Sequence, residues 1–218
     1  MYSLGRLEEF DERSRDFPIR ALLGAKPPRS YTWKCPVTLN QGNVGACTGF
    51  AWAQELAARP KVVENVTNQV GLNLYYKAQH LDEWPGNNYE GSSVLGAVKA
   101  VQELHPGAIP EYRWAFGLED LILAVGYAGP AVIGVNWYSD MFRPDGQNII
   151  HVSGDLVGGH AILVNGVNVK NGLFRLHNSW GSHWGFNGEA RISFADMDKL
   201  LRRKGEACIP VRRGMVSI

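Results

Sequence analysis

The residue pattern of the chain changes near Gly129, and this change constrains the fold more than any other feature. Before it, runs of helix-forming residues predict helices over 48–59, 72–81, 92–104 and 118–126. After it, short runs rich in Val and Ile, separated by Gly, Asn and Asp, predict strands, and 194–203 predicts a closing helix. Helices first and strands afterwards are typical of an α+β protein with two segregated lobes.

A proline-marked stretch, AKPPRS, divides the chain into two parts. Residues 1–30 are rich in charge and are expected to be an N-terminal extension or a short pro-segment. Residues 31–218 are expected to form one domain, with a helical lobe over about 40–115 and a β lobe over about 116–218.

Composition and charge exclude several classes of protein. The 218 residues are 45% hydrophobic, and 22 Lys and Arg against 21 Asp and Glu give a net charge of +1. This balance gives no reason to expect nucleic acid or a membrane as partner. The N-terminus has no apolar signal run, and three irregularly spaced cysteines make a poor disulfide framework. We therefore expect a cytoplasmic protein. A monomer is expected as well.

Cys47 is a candidate nucleophile because it directly precedes a predicted helix, in NQGNVGACTGF. The free N–H groups of a helix N-terminus favour a thiolate. Gln41 lies six residues upstream and can offer an amide N–H beside the backbone N–H of Cys47, as a two-donor oxyanion hole. For a lone cysteine the alternative is a buried, inert thiol, which is the interpretation given to Cys35 and Cys208. The sequence leaves open a bond between those two.

His160 is the candidate base among six histidines. It follows Val-Gly-Gly at the start of the predicted strand HAILVNG, where Gly159 permits close backbone approach. Asn178 ends the next strand, LFRLHN, so its amide can lie against the imidazole and select its tautomer. His177 faces the opposite side of that strand and is expected to be a non-catalytic neighbour.

These residues lie in motifs through which the chain resembles the papain-like (C1-type) cysteine peptidases, and in particular their disulfide-poor bacterial or phage members. The similarity extends from YTWKCPVTLNQGNVGACTGFAWA through EGSSVLGAVKAVQEL and GGHAILVNGVN to NSWGSHWGFNG, and the last motif is the most specific. The resemblance implies a helical left lobe, an antiparallel β-barrel-like right lobe and a cleft between them. It also implies that Cys47 is the nucleophile, His160 the general acid and base, Asn178 the histidine orienter and Gln41 the oxyanion donor.

The resemblance further suggests substrate contacts. Trp180 is expected to cover the hydrogen bond between His160 and Asn178, and Gly91 to pair through its backbone with an extended substrate, although a simple turn glycine is an equal alternative for Gly91. Gly159 is expected to contact substrate as well. Gly134, Gly158, Gly159 and Ala161 are small residues near the expected subsite, which favours a roomy pocket.

The expected reaction is peptide-bond hydrolysis through a Cys47 thiolate, a His160 imidazolium and a thioester acyl-enzyme, with no metal and no organic cofactor. The expected partner is a peptide or protein substrate. Two alternatives stay open: a catalytically silent binding or structural protein on the same scaffold, and a thiol amidase or transamidase acting on cell-wall peptides. The extension is expected to lie on the body or partly across the cleft.

Overall fold

A computed structural model describes residues 2–9, 11–84 and 89–211 of the protein. The helices in this part of the chain are α1 (Arg20–Leu23), α2 (Cys47–Ala57), α3 (Asn68–Gln79), α4 (Val94–Leu104), α5 (Leu118–Tyr127) and α6 (Phe194–Arg202). The strands are β1 (Tyr31–Thr32), β2 (Glu111–Trp114), β3 (Ala131–Tyr138), β4 (Ile149–Ile150), β5 (Leu156–Asn168), β6 (Leu173–His177), β7 (Glu189–Ser193) and β8 (Glu206–Val211). The α+β class is confirmed.

Seven of these strands form one path in the order β2-β8-β3-β5-β6-β7-β4, and β1 pairs with β5 beside it. The pairs are antiparallel except β4 with β7, which is parallel. The sheet is open, so the barrel-like expectation for the right lobe is wrong. Closing a sheet requires its two outermost strands to pair, but here β4 has only two residues and pairs with β7 alone within the described chain.

The predicted helices form with small shifts at their ends. Helix α2 begins at Cys47 itself, and α3 begins at Asn68, four residues before the predicted start. The serine cap expected for the third helix is Ser93, whose Oγ accepts a hydrogen bond from the Gly96 N–H at 2.7 Å. β2 lies within the stretch assigned to the helical lobe, yet it pairs with β8 in the sheet.

Two apolar cores meet along α2 and β5. One core contains Phe50, Trp52 and Leu74 among the helices, and the other contains Trp137 and Phe174 beneath the sheet. All eleven residues of α2 are buried, because α3 and α4 cover one side of the helix and β5 and β3 cover the other. The first residue of α2 and the middle of β5 therefore lie at the junction of the two lobes.

The N-terminal extension is anchored on the body of the protein. The Ile19 N–H donates to the Trp114 carbonyl oxygen at 2.8 Å, and the Trp114 N–H donates to the Phe17 carbonyl oxygen at 3.0 Å. Arg20 forms an ion pair with Asp120 at 2.7 Å. None of the helices within 2–9, 11–84 and 89–211 is long and apolar enough to cross a bilayer.

Candidate active site

Cys47 is held at the junction of the lobes by the first turn of α2. The residue is fully buried, and its Sγ accepts a hydrogen bond from the Ala161 N–H of β5 at 3.3 Å. Because Ala161 directly follows His160, this contact places the thiol against the strand residue next to the imidazole. The structure thus brings the predicted nucleophile and the predicted base to the same point of the interface.

The orientation of the His160 ring is fixed by Asn178. The Asn178 Oδ1 accepts a hydrogen bond from the Ser179 N–H at 2.8 Å, which identifies that amide atom as the oxygen. The same Oδ1 lies 2.8 Å from His160 Nε2, so the proton of the neutral imidazole must lie on Nε2. His160 Nδ1 is buried and has no hydrogen-bond partner among the described residues. Its lone pair is therefore free to accept a proton.

Two tryptophans enclose the imidazole. The ring of Trp180 stacks on His160 with centroids 4.5 Å apart. Trp137 contacts the same imidazole edge-on at 4.8 Å, and sequence reasoning did not single it out. The pairing of the strands explains the contact of Trp137 with His160. Val135 of β3 pairs with His160, and Trp137 follows two residues later on the same face of the strand.

Gln41 presents its amide group to the cleft. Its Oε1 accepts a hydrogen bond from the Ser179 hydroxyl at 2.7 Å, and its backbone N–H donates to the Ser179 carbonyl oxygen. Its Nε2 donates to the Val44 carbonyl oxygen at 2.8 Å and contacts the Ser3 carbonyl oxygen at 3.3 Å. One amide N–H thus positions the side chain, and the other meets a peptide carbonyl inside the cleft.

That peptide carbonyl belongs to the N-terminal segment, residues 2–9, which occupies the cleft. The N–H groups of Gly5 and Arg6 both donate to the Gly159 carbonyl oxygen at 3.0 Å. On the other wall, the Leu7 N–H donates to the Ser92 carbonyl oxygen and the Ser92 N–H donates to the Gly5 carbonyl oxygen, each at 2.9 Å. The segment therefore binds both lobes through its backbone, as an extended peptide would.

The two glycines predicted to contact substrate lie against this segment in different ways. Gly159 supplies a backbone acceptor, and a Cβ there would come within 2.2 Å of the Arg6 carbonyl oxygen. Gly91, at φ +99°, would place a Cβ within 2.5 Å of the Gly5 carbonyl oxygen. The backbone groups of Gly91 are engaged with Tyr75 and Gln79, so the residue that pairs with the segment is its neighbour Ser92.

Burial determines the protonation state of the pair. Desolvation raises the pKa of the Cys47 thiol to about 12, and the Ala161 N–H opposes this only in part. Desolvation also lowers the pKa of His160 to about 4, against the hydrogen bond to Asn178. At pH 7 the covered cleft therefore holds a neutral thiol and a neutral imidazole rather than an ion pair.

The other two cysteines are free thiols away from this constellation. Burial raises the pKa of Cys35 to about 12 and that of Cys208 well above its ordinary value. Within the described ranges, no group of three or more His, Cys, Asp or Glu side chains is placed to hold a metal ion.

Comparison with known proteins finds curated relatives and solved structures that are cysteine proteases. No family model matches the chain. The cathepsin B-like cysteine proteinase 6 of Caenorhabditis elegans is 33% identical over 84 residues, which are 36% of this chain and 22% of that protein. The chain thus spans about a fifth of the length of this curated relative.

The structural similarity covers almost the entire chain. Xylellain, a cysteine protease from Xylella fastidiosa, superposes with a TM-score of 0.74 at 20% identity, over 97% of this chain and 96% of that one. The bromelain protease from Ananas comosus, solved in complex with the E64 inhibitor, gives 0.60 at 18% identity, over 86% and 100%. Procathepsin L2 from Tenebrio molitor gives 0.60 at 17% identity, over 96% and 78%. The chain has the fold of the papain-like cysteine proteases.

Proposed function

We propose that the protein is a cysteine peptidase in which Cys47 is the nucleophile and His160 the general acid and base. The observation that carries this proposal is the imidazole whose Nε2–H is fixed by Asn178, which leaves a free Nδ1 beside the strand residue that binds the thiol. The fold shared with xylellain and bromelain supports the same assignment.

The geometry supports a two-step hydrolysis. The Cys47 sulfur attacks the scissile carbonyl carbon, and the thiol proton passes to His160 Nδ1. The oxyanion accepts the Gln41 amide N–H that now meets the Ser3 carbonyl oxygen. His160 then gives its proton to the leaving amine, and a thioester forms. A water molecule, deprotonated by His160, attacks the thioester, which releases the carboxylic acid and restores the thiol.

We also propose that the N-terminal segment is a short pro-segment that keeps the enzyme inactive. It fills the cleft, contacts the Gln41 amide and excludes water from Cys47 and His160, so that both groups are neutral. When the segment leaves, water returns to the cleft and the cost of ionising both groups falls. The thiolate and imidazolium pair therefore belongs to the open cleft, in which a peptide substrate also finds room.

Labelling with E64, the inhibitor found in the bromelain complex, tests the proposed nucleophile. The full chain with Gly5→Ala, a substitution expected to release the segment, is incubated with E64, and the adduct is located by peptide mass; we expect it on Cys47 alone. Cys47→Ala should abolish labelling, whereas Cys208→Ala, the matched control, should retain it. Absence of an adduct even in a variant with a released segment would contradict the proposal.

Turnover separates the peptidase from the two alternatives. We expect the E64-sensitive protein to cleave casein, with activity lost in Cys47→Ala. Cleavage of cell-wall peptides without cleavage of casein would instead identify a thiol amidase. Labelling without turnover of either substrate would identify a silent scaffold.

A further inference from the structure

The amide group of Gln54 joins α2 to two other segments of the chain. Gln54 is fully buried, and it lies in the second half of α2. Its Oε1 accepts a hydrogen bond from the Leu39 N–H at 3.2 Å, and its Nε2 donates to the His177 carbonyl oxygen at 3.2 Å. The helix that begins with Cys47 is therefore tied by one side chain to the loop before it and to the end of β6.

Gln54 lies on the same face of α2 as Cys47. The two residues are seven positions apart, which is about two turns of an α-helix, so their side chains leave the helix in nearly the same direction. On this face the Cys47 Sγ accepts from the Ala161 N–H of β5, while the Gln54 Nε2 donates to the last residue of β6. A rotation or a slide of α2 that displaced the thiol would therefore also break the hydrogen bonds of Gln54.

The contact with His177 acts directly beside the residue that orients the imidazole. His177 is the last residue of β6, and Asn178 follows it in the chain. The Asn178 Oδ1 lies 2.8 Å from His160 Nε2. The hydrogen bond from Gln54 therefore holds the backbone immediately before the orienting amide.

The contact with Leu39 acts close to the proposed oxyanion donor. The Gly181 N–H donates to the Leu39 carbonyl oxygen at 3.0 Å, and the Gln41 N–H donates to the Ser179 carbonyl oxygen at 2.9 Å, so residues 39–41 pair with residues 179–181. The remaining backbone group of Leu39, its N–H, donates to Gln54. One buried amide thus connects the segments that carry the nucleophile, the histidine orienter and the oxyanion donor.

A neutral amide matches both contacts of Gln54. The Leu39 N–H needs an acceptor and the His177 carbonyl oxygen needs a donor, and an amide group supplies one of each. An apolar side chain of similar length would fill the same space but would leave both buried backbone groups without these partners, which is strongly unfavourable. The chain can restore partners for these groups only by moving α2 or the two segments.

We propose that Gln54 is a positioning residue for the hydrolysis, which holds α2 in the register that places the Cys47 sulfur against His160. The proposal rests on the peptidase function. Gln54 lies in the core and not in the cleft, so we expect it to act on the rate of turnover rather than on the binding of substrate.

Gln54→Met tests this role, because methionine keeps the length of the side chain and removes both hydrogen bonds. Each variant is made in the full chain with Gly5→Ala, and kcat and KM are measured with a fluorogenic peptide taken from a casein site that this parent cleaves. At pH 7 we expect kcat to fall about 10- to 100-fold, with a change in KM of less than about threefold. Gln102→Met is the matched control. It removes a hydrogen bond from α4 to the Ile109 carbonyl oxygen and should keep the parent kcat.

Gln54→Glu distinguishes the hydrogen bonds from simple packing. A neutral carboxyl group has one O–H donor and one carbonyl acceptor and can replace the amide, whereas a carboxylate has no donor for the His177 carbonyl oxygen. Desolvation raises the pKa of a buried carboxyl group, so the neutral form persists at mildly acidic pH. Relative to the parent at the same pH, kcat of Gln54→Glu should be nearly unchanged at pH 5 and reduced at pH 8. This comparison stays decisive even if Gln54→Met does not fold.

Two results would overturn the proposal and leave the peptidase function intact. One is a folded Gln54→Met that keeps kcat within about twofold of the parent, and the other is a Gln54→Glu with the same pH profile as the parent.

Alkylation of Cys47 decides the positioning role even if the Gly5→Ala parent cleaves no peptide, which would count against the peptidase function. Iodoacetamide labelling is measured against pH in the parent and in Gln54→Met. We expect a higher midpoint in Gln54→Met, because a displaced His160 no longer stabilises the thiolate. Equal midpoints would refute the positioning role.

Discussion

Replacing Gly5 by alanine should release the N-terminal segment from the cleft. Gly5 has φ +154°, and a Cβ there would lie 2.1 Å from the Gly45 carbonyl oxygen and 2.4 Å from its carbon. These are backbone atoms, and Gly45 is buried in the turn that leads into α2 and Cys47. The Gly45 backbone therefore cannot move away from the added methyl group. The segment, which backbone hydrogen bonds to Gly159 and Ser92 hold in the cleft, is the part expected to move.

The expected effect on Cys47 follows from the fraction of thiolate. With a pKa of about 12 the thiolate fraction at pH 7 is about 10⁻⁵, whereas a thiol at its ordinary value of 9.0 gives about 10⁻². Release of the segment should therefore accelerate alkylation of Cys47 by about 1,000-fold. Formation of the ion pair with His160 would increase the thiolate fraction further.

Iodoacetamide labelling at pH 7, followed by peptide mass analysis, measures this rate for each cysteine. Gly24→Ala is the matched control, because Gly24 lies in the same extension at φ +64° and a Cβ there meets nothing within 4 Å. We expect Gly24→Ala to label as slowly as the parent chain. If Gly5→Ala also labels Cys47 at the parent rate, the segment does not control access to the thiol.

Three further outcomes follow from the structure. In the open enzyme, Gln41→Ala should lower kcat about 100-fold or more with a smaller effect on KM, because it removes an oxyanion donor, and steady-state kinetics measures this. The pKa of Glu189 lies at about 2, because hydrogen bonds from His177 and Arg175 outweigh its desolvation. The ionised carboxylate thus contributes up to about 3 kcal/mol to the free energy of unfolding above pH 4.5, and this contribution is lost as the pH falls toward 2. Urea titrations should therefore show that Glu189→Gln is more destabilising at pH 7 than at pH 3. Phe174→Ala, at a fully buried site, should lower the free energy of unfolding by about 3–5 kcal/mol in the same assay.

The sequence predicts those features that depend on local pattern. Helix α2 and its first residue Cys47 follow from a run of helix formers after a glycine turn, and β5 and β6 follow from β-branched runs. Strand β8 was not predicted, because it contains Pro210 and yet lies inside the sheet between β2 and β3. A proline in a run argues against a central strand, so a local interpretation misses it.

The features that were missed depend on contacts between distant parts of the chain. Trp137 gains its contact with His160 only through the register of β3 with β5. The position of the N-terminal segment depends on backbone hydrogen bonds to Gly159 and Ser92, for which side-chain pattern gives no signal. The open sheet likewise depends on strand pairing at its ends, which is why the resemblance to a barrel-like lobe gave the wrong expectation.

The attachment of the N-terminal segment to the domain gives it a high effective concentration. Residues 17–20 are fixed on Trp114 and Asp120, so residues 2–9 stay within a short chain length of the cleft. A short tether of this kind corresponds to a local concentration on the order of millimolar, whatever the dilution of the protein. A separate peptide must compete against that local concentration for the cleft. A single cut between residues 9 and 17 would instead let residues 2–9 diffuse away, and opening of the cleft would become irreversible.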